Sequence, residues 1–225
     1  MIAQNTTWER LNLYGKEKNV SGFSNDLLQE ISQLEKFKIK LVQTNQFPVV
    51  DLLKDEGIDA VLSTLSPDER NIKLYQFSDP YFTVGPVLVV KEGSLISSIQ
   101  DLQGRGVGFE RGYNWAISLA ARTDIIFQPY SEVSQAFDAL KRGEIEGVLC
   151  DSMVANHMVQ AHYKGILRLT GPLVDFMGIR LVVKKGKNEE LIVQFNEGLK
   201  KVKETGLYYK VLRYWSLFDM SEPLI

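Results

Sequence analysis

Pro86-Val87-Leu88-Val89-Val90, closed by Lys91-Glu92-Gly93, is an uninterrupted β-rich run, and Leu181-Val182-Val183, within the strand-like stretch Ile179 to Val183 bounded by Lys184-Lys185-Gly186, is a second. Branched apolar residues in series favour an extended, buried chain. Between the two runs lies a self-contained β-α-β block of about ninety residues, the size of a small domain. A chain that leaves one lobe and later returns to it needs two such connections. The pair therefore predicts an α/β protein of two lobes, residues 1–86 with 185–225 and residues 87–184, joined by a two-strand hinge.

Outward from these runs, strand-like and helical spacing alternate, as expected of α/β architecture. Met1 to Gln4 reads as an opening strand. Phe23, Leu27, Leu28, Ile31 and Leu34 follow a helical stripe, with Ser24 or Asn25 as expected caps. Ile39 to Val42 alternates as a strand, Pro48 to Lys54 as a short helix with Pro in its first turn, and Ala60 to Leu62 as a buried strand. Within the middle block, Gly106 to Phe109 and Gly147 to Cys150 read as strands. Asn114 to Ala121, Val133 to Leu140 and Met153 to His162 read as helices. Ile192, Phe195, Leu199 and Val202 form a last stripe ending near Gly206.

Composition removes several classes. The 225 residues carry 26 Lys and Arg against 28 Asp and Glu, a formal charge of −2, which gives no electrostatic basis for nucleic-acid binding. The single cysteine, Cys150, cannot form an intrachain disulfide, and two histidines without a ligand-spaced Cys or acid offer no zinc site. No apolar stretch approaches about 18 residues, so no membrane span is expected. The first residues show neither a basic nor a long apolar leader region, which fits a cytoplasmic protein or one whose signal peptide is absent from this chain.

Familiar catalytic signatures are missing: no G-x-S-x-G elbow, no Walker A loop, no H-E-x-x-H and no C-x-x-C. Gly104-Arg105-Gly106-Val107-Gly108-Phe109 has Phe where a dinucleotide fingerprint needs a third Gly or Ala, and it lies within a turn and strand. No cofactor or metal is expected. What remains is a set of polar groups following strands, where open α/β sheets place ligands. The first is Ser63-Thr64-Leu65-Ser66-Pro67-Asp68-Glu69-Arg70, the second Glu110-Arg111-Gly112-Tyr113-Asn114, the third Asp151. Arg70 offers two parallel N–H bonds to a carboxylate, the backbone N–H groups around Gly112 suit the same anion, and Asp151 suits an ammonium group. Together they match the zwitterionic head of an α-amino acid. Asp151 also suits the cap of the following helix. Glu110 and Arg111 either read a ligand side chain or pair with each other.

The same residues resemble the amino-acid class of bacterial extracellular solute-binding proteins, family 3, over about residues 2 to 217. Gly22-Phe23-x-x-Asp26-Leu27, Ile58-Asp59-Ala60-Val61, Pro67-x-Glu69-Arg70 and Phe77-Ser78-Asp79-Pro80-Tyr81-Phe82 carry the likeness in the first part. Asp101-Leu102-x-Gly104-x-x-Val107-Gly108-x-x-x-Gly112, Glu146 to Asp151, and Gly206-x-Tyr208 to Tyr214-Trp215 continue it in order. The resemblance implies a periplasmic-binding-protein-like fold, closing by a hinge on a ligand in an interlobe cleft. It implies Arg70 and Ser66 on the α-carboxylate, helped by the Gly112–Tyr113 backbone, and Asp151 with the Ser63 carbonyl on the α-amino group. Trp8 and Phe47 would sandwich the ligand, Asn5 would read its side chain, and Thr64 and Leu65 would line the same loop. Departures are Glu9-Arg10-Leu11 in place of Pro-Pro-Phe, Ser24 in place of Asp, and shifted spacing on both sides of Arg70.

The implied role is a monomeric component that delivers a polar or charged amino acid to an ABC-type membrane permease from the periplasm or cell exterior. The resemblance also admits a receptor's ligand-sensing domain. A third reading is a cyclohexadienyl-dehydratase-like enzyme with Glu110 as proton donor.

Overall fold

The computed structural model describes residues 1–5, 8, 11, 13–46, 48–112, 119, 124–174 and 177–219. In chain order it begins with β1 (Ile2–Asn5), α1 (Glu17–Leu34), β2 (Leu41–Thr44) and a short 3-10 helix over Val49–Lys54. β3 (Ala60–Ser63), β4 (Tyr75–Phe77), β5 (Phe82–Val84), β6 (Pro86–Lys91), β7 (Gly106–Glu110) and β8 (Ile126–Tyr130) follow. The chain continues through α2 (Val133–Arg142), β9 (Gly147–Asp151), α3 (Ser152–His162), β10 (Leu167–Thr170), β11 (Met177–Lys184), α4 (Glu189–Glu204) and α5 (Leu207–Tyr214).

It divides into two compact units, Met1–Thr83 with the segment from Met177, and Val84–Phe176. The first unit holds a sheet ordered β2-β1-β3-β11-β4, with β5 also paired to β11. β1 runs parallel to β2 and β3, while β11 is antiparallel to β3 and β4. One face packs Ala3, Val61 and Val182 on Val49, Val50 and Leu53 of the 3-10 helix. Against the other, α1, α4 and α5 pack on one another, and Phe23 of α1 meets Phe82 at 5.8 Å and Tyr208 at 5.5 Å between ring centres.

The second unit holds a sheet ordered β10-β6-β9-β7-β8. β7 is parallel to both β8 and β9, and β6 is antiparallel to β9 and β10. Leu88, Val90, Val107 and Leu149 form one core with Leu102 and Ile96. α2 stops where Gly143 turns left-handed, at φ +84°, as the stripe ending there predicts.

Neither run that predicted the two lobes is itself a crossing strand. β6 lies between β10 and β9, and β11 between β3 and β4, so each is hydrogen-bonded on both edges within its own sheet. The chain passes from the first unit to the second between Thr83 and Val84, and returns just before Met177. The expected boundaries 1–86, 87–184 and 185–225 therefore differ from this partition, chiefly because all of β11 pairs into the first sheet. The helix expected to be capped at Ser24 or Asn25 begins earlier, at Glu17. Ser24 lies in its buried interior, where its hydroxyl contacts the Val20 carbonyl and the Tyr81 hydroxyl, each at 2.7 Å. The helix expected over 114–121, with Phe47 and Tyr113, falls outside the described residues apart from Leu119.

Candidate functional site

In the first unit, parallel pairing aligns the C-terminal ends of β1, β2 and β3 on one sheet edge. Asn5 pairs in register with Thr44, and Gln4 with Leu62, so Asn5 and Ser63 are the next neighbours across the sheet. Both are buried. The Asn5 side-chain amide donates to the Gln46 carbonyl at 2.9 Å, which fixes it beside the β2 exit. The Ser63 hydroxyl accepts from the Leu65 backbone N–H at 3.1 Å and turns the chain out of β3. Leu65 packs on the sheet core, Thr64 is half-buried, and Ser66 onward is exposed.

That exposed loop is shaped by Asp68, whose Oδ1 accepts the backbone N–H groups of Arg70 and Asn71, both at 2.9 Å. The Asn71 amide closes the loop onto the Ser66 carbonyl at 2.8 Å. The Arg70 guanidinium has no hydrogen-bond or ion-pair partner among the described residues. It is a fixed-base, free-ended cation, the form a bidentate carboxylate contact requires.

Trp8 differs from an open stacking platform. It is 3% exposed, has a positive φ of 49°, and donates its indole N–H to the Ser21 hydroxyl at 3.0 Å. The polar edge of the ring is thereby committed to α1.

The second unit aligns a comparable edge. β7 and β9 are parallel, with Val107 opposite Gly147 and Gly108 opposite Val148, so Glu110 and Asp151 leave the sheet on the same side. Arg111 is held by its backbone N–H to the Tyr130 carbonyl at 3.0 Å. Gly112 follows with φ +101°, a left-handed conformation that suits glycine. Glu110 and Arg111 do not form an ion pair with each other, which removes one of the two expected readings. Asp151 is 9% exposed and occupies the N-cap position of α3. Its neighbour Cys150 is buried, and burial, reinforced by the charges of Asp151 and Glu110, pushes its thiol far above the ordinary range. That thiol is no nucleophile.

The structure therefore brings Asn5 and Ser63 onto one strand-end row of the first unit, with Thr64, Leu65, Ser66 and Arg70 on the loop leaving it. Glu110, Arg111, Gly112 and Asp151 share one edge of the second. Sequence reading missed Arg180, which lies directly opposite Ser63 in the first sheet. A lone Arg inside an apolar strand was the available signal. Among the described residues, no three His, Cys, Asp or Glu side chains are grouped as metal ligands, and no helix is long and apolar enough to cross a membrane.

Two sheets of this connectivity, each presenting polar groups past its parallel strands, define a periplasmic-binding-protein-like fold. The L-cystine solute receptor of Neisseria gonorrhoeae, in its unliganded open conformation, shares it with a TM-score of 0.71, at 18% identity, over 99% of this chain and 94% of that one. The second substrate-binding domain of an amino acid ABC transporter from Streptococcus pneumoniae gives 0.65 at 23% identity, over 95% and 98%. The chain belongs to the bacterial extracellular solute-binding proteins, family 3, whose description matches residues 1–218. The glutamine-binding protein GlnH of the Bacillus subtilis ABC transporter is 28% identical over 90% of this chain and 75% of its own length. A probable histidine-binding protein of Campylobacter jejuni is 24% identical over 91% and 80%.

Proposed function

We propose that the protein binds a polar or charged amino acid and delivers it to an ABC-type membrane permease, acting as a monomer outside the cytoplasmic membrane. The observation that carries this reading is the charge complement of the two strand-end edges. A free guanidinium, Arg70, follows β3 of one unit, and a nearly buried carboxylate, Asp151, ends β9 of the other. Arg70 and Ser66, with the Gly112–Tyr113 backbone, take the α-carboxylate. Asp151 and the Ser63 carbonyl take the α-amino group. A ligand that must satisfy groups on both units favours the arrangement in which both are engaged. Desolvating the Arg70 guanidinium is costly and is offset only when a carboxylate arrives, so the head group is read by its carboxylate there and by its ammonium group at Asp151. Micromolar affinity, about −8 kcal/mol, is ordinary for such a site.

The test is a thermal-shift screen of the ligand-free protein against the twenty amino acids, followed by calorimetry. A saturating ligand raises the melting temperature by mass action. A hit that disappears in both Arg70→Ala and Asp151→Ala, with the apo melting temperature retained, supports the reading. Binding that survives either substitution overturns the assignment of the head group.

A further inference from the structure

We propose that Arg180 is a ligand-contacting residue of the first unit that selects an amino acid with an acidic side chain. The inference rests on the amino-acid reading above and narrows it to a substrate class.

The argument begins with register. Thr44 pairs with Asn5, and Ser63 pairs with Arg180 across the antiparallel β3–β11 ladder. Because Gln4 pairs with Leu62, Asn5 and Ser63 are adjacent, and the four residues form one row at the strand ends. Directly opposed residues on antiparallel strands project from the same face, with Cβ atoms about 5 Å apart. Two positions further along the strands, Val61 and Val182 both enter the core against the 3-10 helix. Side-chain alternation therefore sets Arg180 on the face of Asn5 and Ser63.

What the row holds at this position is a cation with spare capacity. The Arg180 guanidinium is half-buried and makes one hydrogen bond among the described residues, from Nη1 to the Ser78 carbonyl at 3.0 Å. Five N–H donors are available on a guanidinium. Asp79 is close enough to act on it electrostatically but forms no ion pair within 4.0 Å. Burial lowers the pKa of Arg180 and Asp79 opposes that shift, yet a guanidinium stays charged throughout the physiological range. A partly desolvated cation without a paired carboxylate is unfavourable in the free protein and is relieved by an anion from outside.

Arg70 already supplies the charge for an α-carboxylate, and Arg180 is a second cation on the same unit, on a rigid strand rather than a loop. A zwitterion with a neutral side chain leaves it unused. A dicarboxylic amino acid uses both. Aspartate and glutamate are the ligands this arrangement fits, with the side-chain carboxylate on Arg180.

Calorimetry of the full chain with L-glutamate, L-glutamine, L-aspartate and L-asparagine tests this, using the wild type, Arg180→Ala, Arg180→Lys and Arg70→Ala. The expected result is that one acid binds tighter than its amide by about 10- to 100-fold, the usual range for a hydrogen-bonded ion pair. Arg180→Ala brings that ratio close to one, Arg180→Lys keeps part of it, and Arg70→Ala weakens acid and amide together. Equal binding of acid and amide by the wild type overturns the proposal while leaving amino-acid binding intact. So does an Arg180→Ala variant that weakens both ligands alike, since a structural Arg180 tied to Ser78 predicts that result. Failure of every amino acid to bind the wild type removes the amino-acid reading itself, and this proposal with it.

Discussion

Gly22→Ala should destabilise the first unit although alanine is the better helix former. A Cβ built on Gly22 would lie 2.2 Å from Cη2, 2.3 Å from Cζ2 and 2.5 Å from Cζ3 of Trp215. Carbon atoms in contact sit about 3.5–4.0 Å apart, so the indole must retreat by more than about 1 Å. It is held at two points. Its N–H donates to Asp26 Oδ2 at 2.8 Å, and the Trp215 carbonyl accepts from the Asn19 amide at 2.7 Å. A retreat of that size breaks the bond to Asp26. Forced overpacking costs about 1–3 kcal/mol, and a lost hydrogen bond to a charged group about 1.5 kcal/mol at the low end appropriate to a half-exposed ring. Helix propensity returns about 1 kcal/mol. The net is a loss of about 2 kcal/mol, or roughly 4–8 °C for a chain of this size. Differential scanning calorimetry measures it. The cycle is completed with Trp215→Phe, which removes the three atoms that clash; in that background Gly22→Ala should become neutral or stabilising. An unchanged or higher melting temperature for Gly22→Ala alone would refute the reasoning.

Ser24→Ala leaves the buried Tyr81 hydroxyl without the serine oxygen 2.7 Å away, and should cost about 1–3 kcal/mol in urea unfolding. Tyr81→Phe in the same chain should recover most of it, and additivity of the two would count against a shared bond. Gly112→Ala places a side chain at φ +101°, at about 1–3 kcal/mol of backbone strain, and should weaken amino-acid binding in calorimetry. Unchanged affinity would remove that loop from the site. Burial raises the pKa of Cys150 above 9.0 and of Tyr81 and Tyr208 above 10.0. For each, the folded value exceeds the unfolded one, so stability is intact below about pH 9 and falls as pH rises above it, by about 1.4 kcal/mol per unit for each group titrating only in the unfolded chain. Urea midpoints at pH 9 and pH 11 should therefore differ, and a flat profile would show that these groups titrate alike in both states.

Much of the fold was legible because its strands and helices are marked by burial on one or both faces. β3, β6 and β9 read as unbroken apolar runs, β11 as one over Leu181-Val182-Val183, and α2 and α4 as stripes ending at Gly143 and near Gly206. The strands that were missed are short or amphipathic. β4 is three residues, β5 three, and Ile126 of β8 is exposed. They are strands because β11 and β7 give them partners, a property of the neighbours and not of their own composition. α1 starts ahead of its apolar stripe because Glu17-Lys18-Asn19 carries no apolar signal, while Ser24, which looks like a cap, is buried by its bonds to Val20 and Tyr81.

The motif and the site differ in the same way. Gly22 and Asp26 can be recognised from their spacing, but their reason is Trp215, whose ring fills the space over one and donates to the other across most of the chain. Arg70 and Asp151 can be nominated from the sequence because one lies on the loop that leaves β3 and the other at the end of β9, two strands that the sequence announces. Arg180 cannot be, because inside an apolar run a single Arg reads as an interruption. Only the register that sets it opposite Ser63 turns the interruption into a member of the strand-end row. A site written on loops after strands is local and can be read in order. One written across a sheet is fixed by pairing between distant segments, and it becomes visible when the pairing is known.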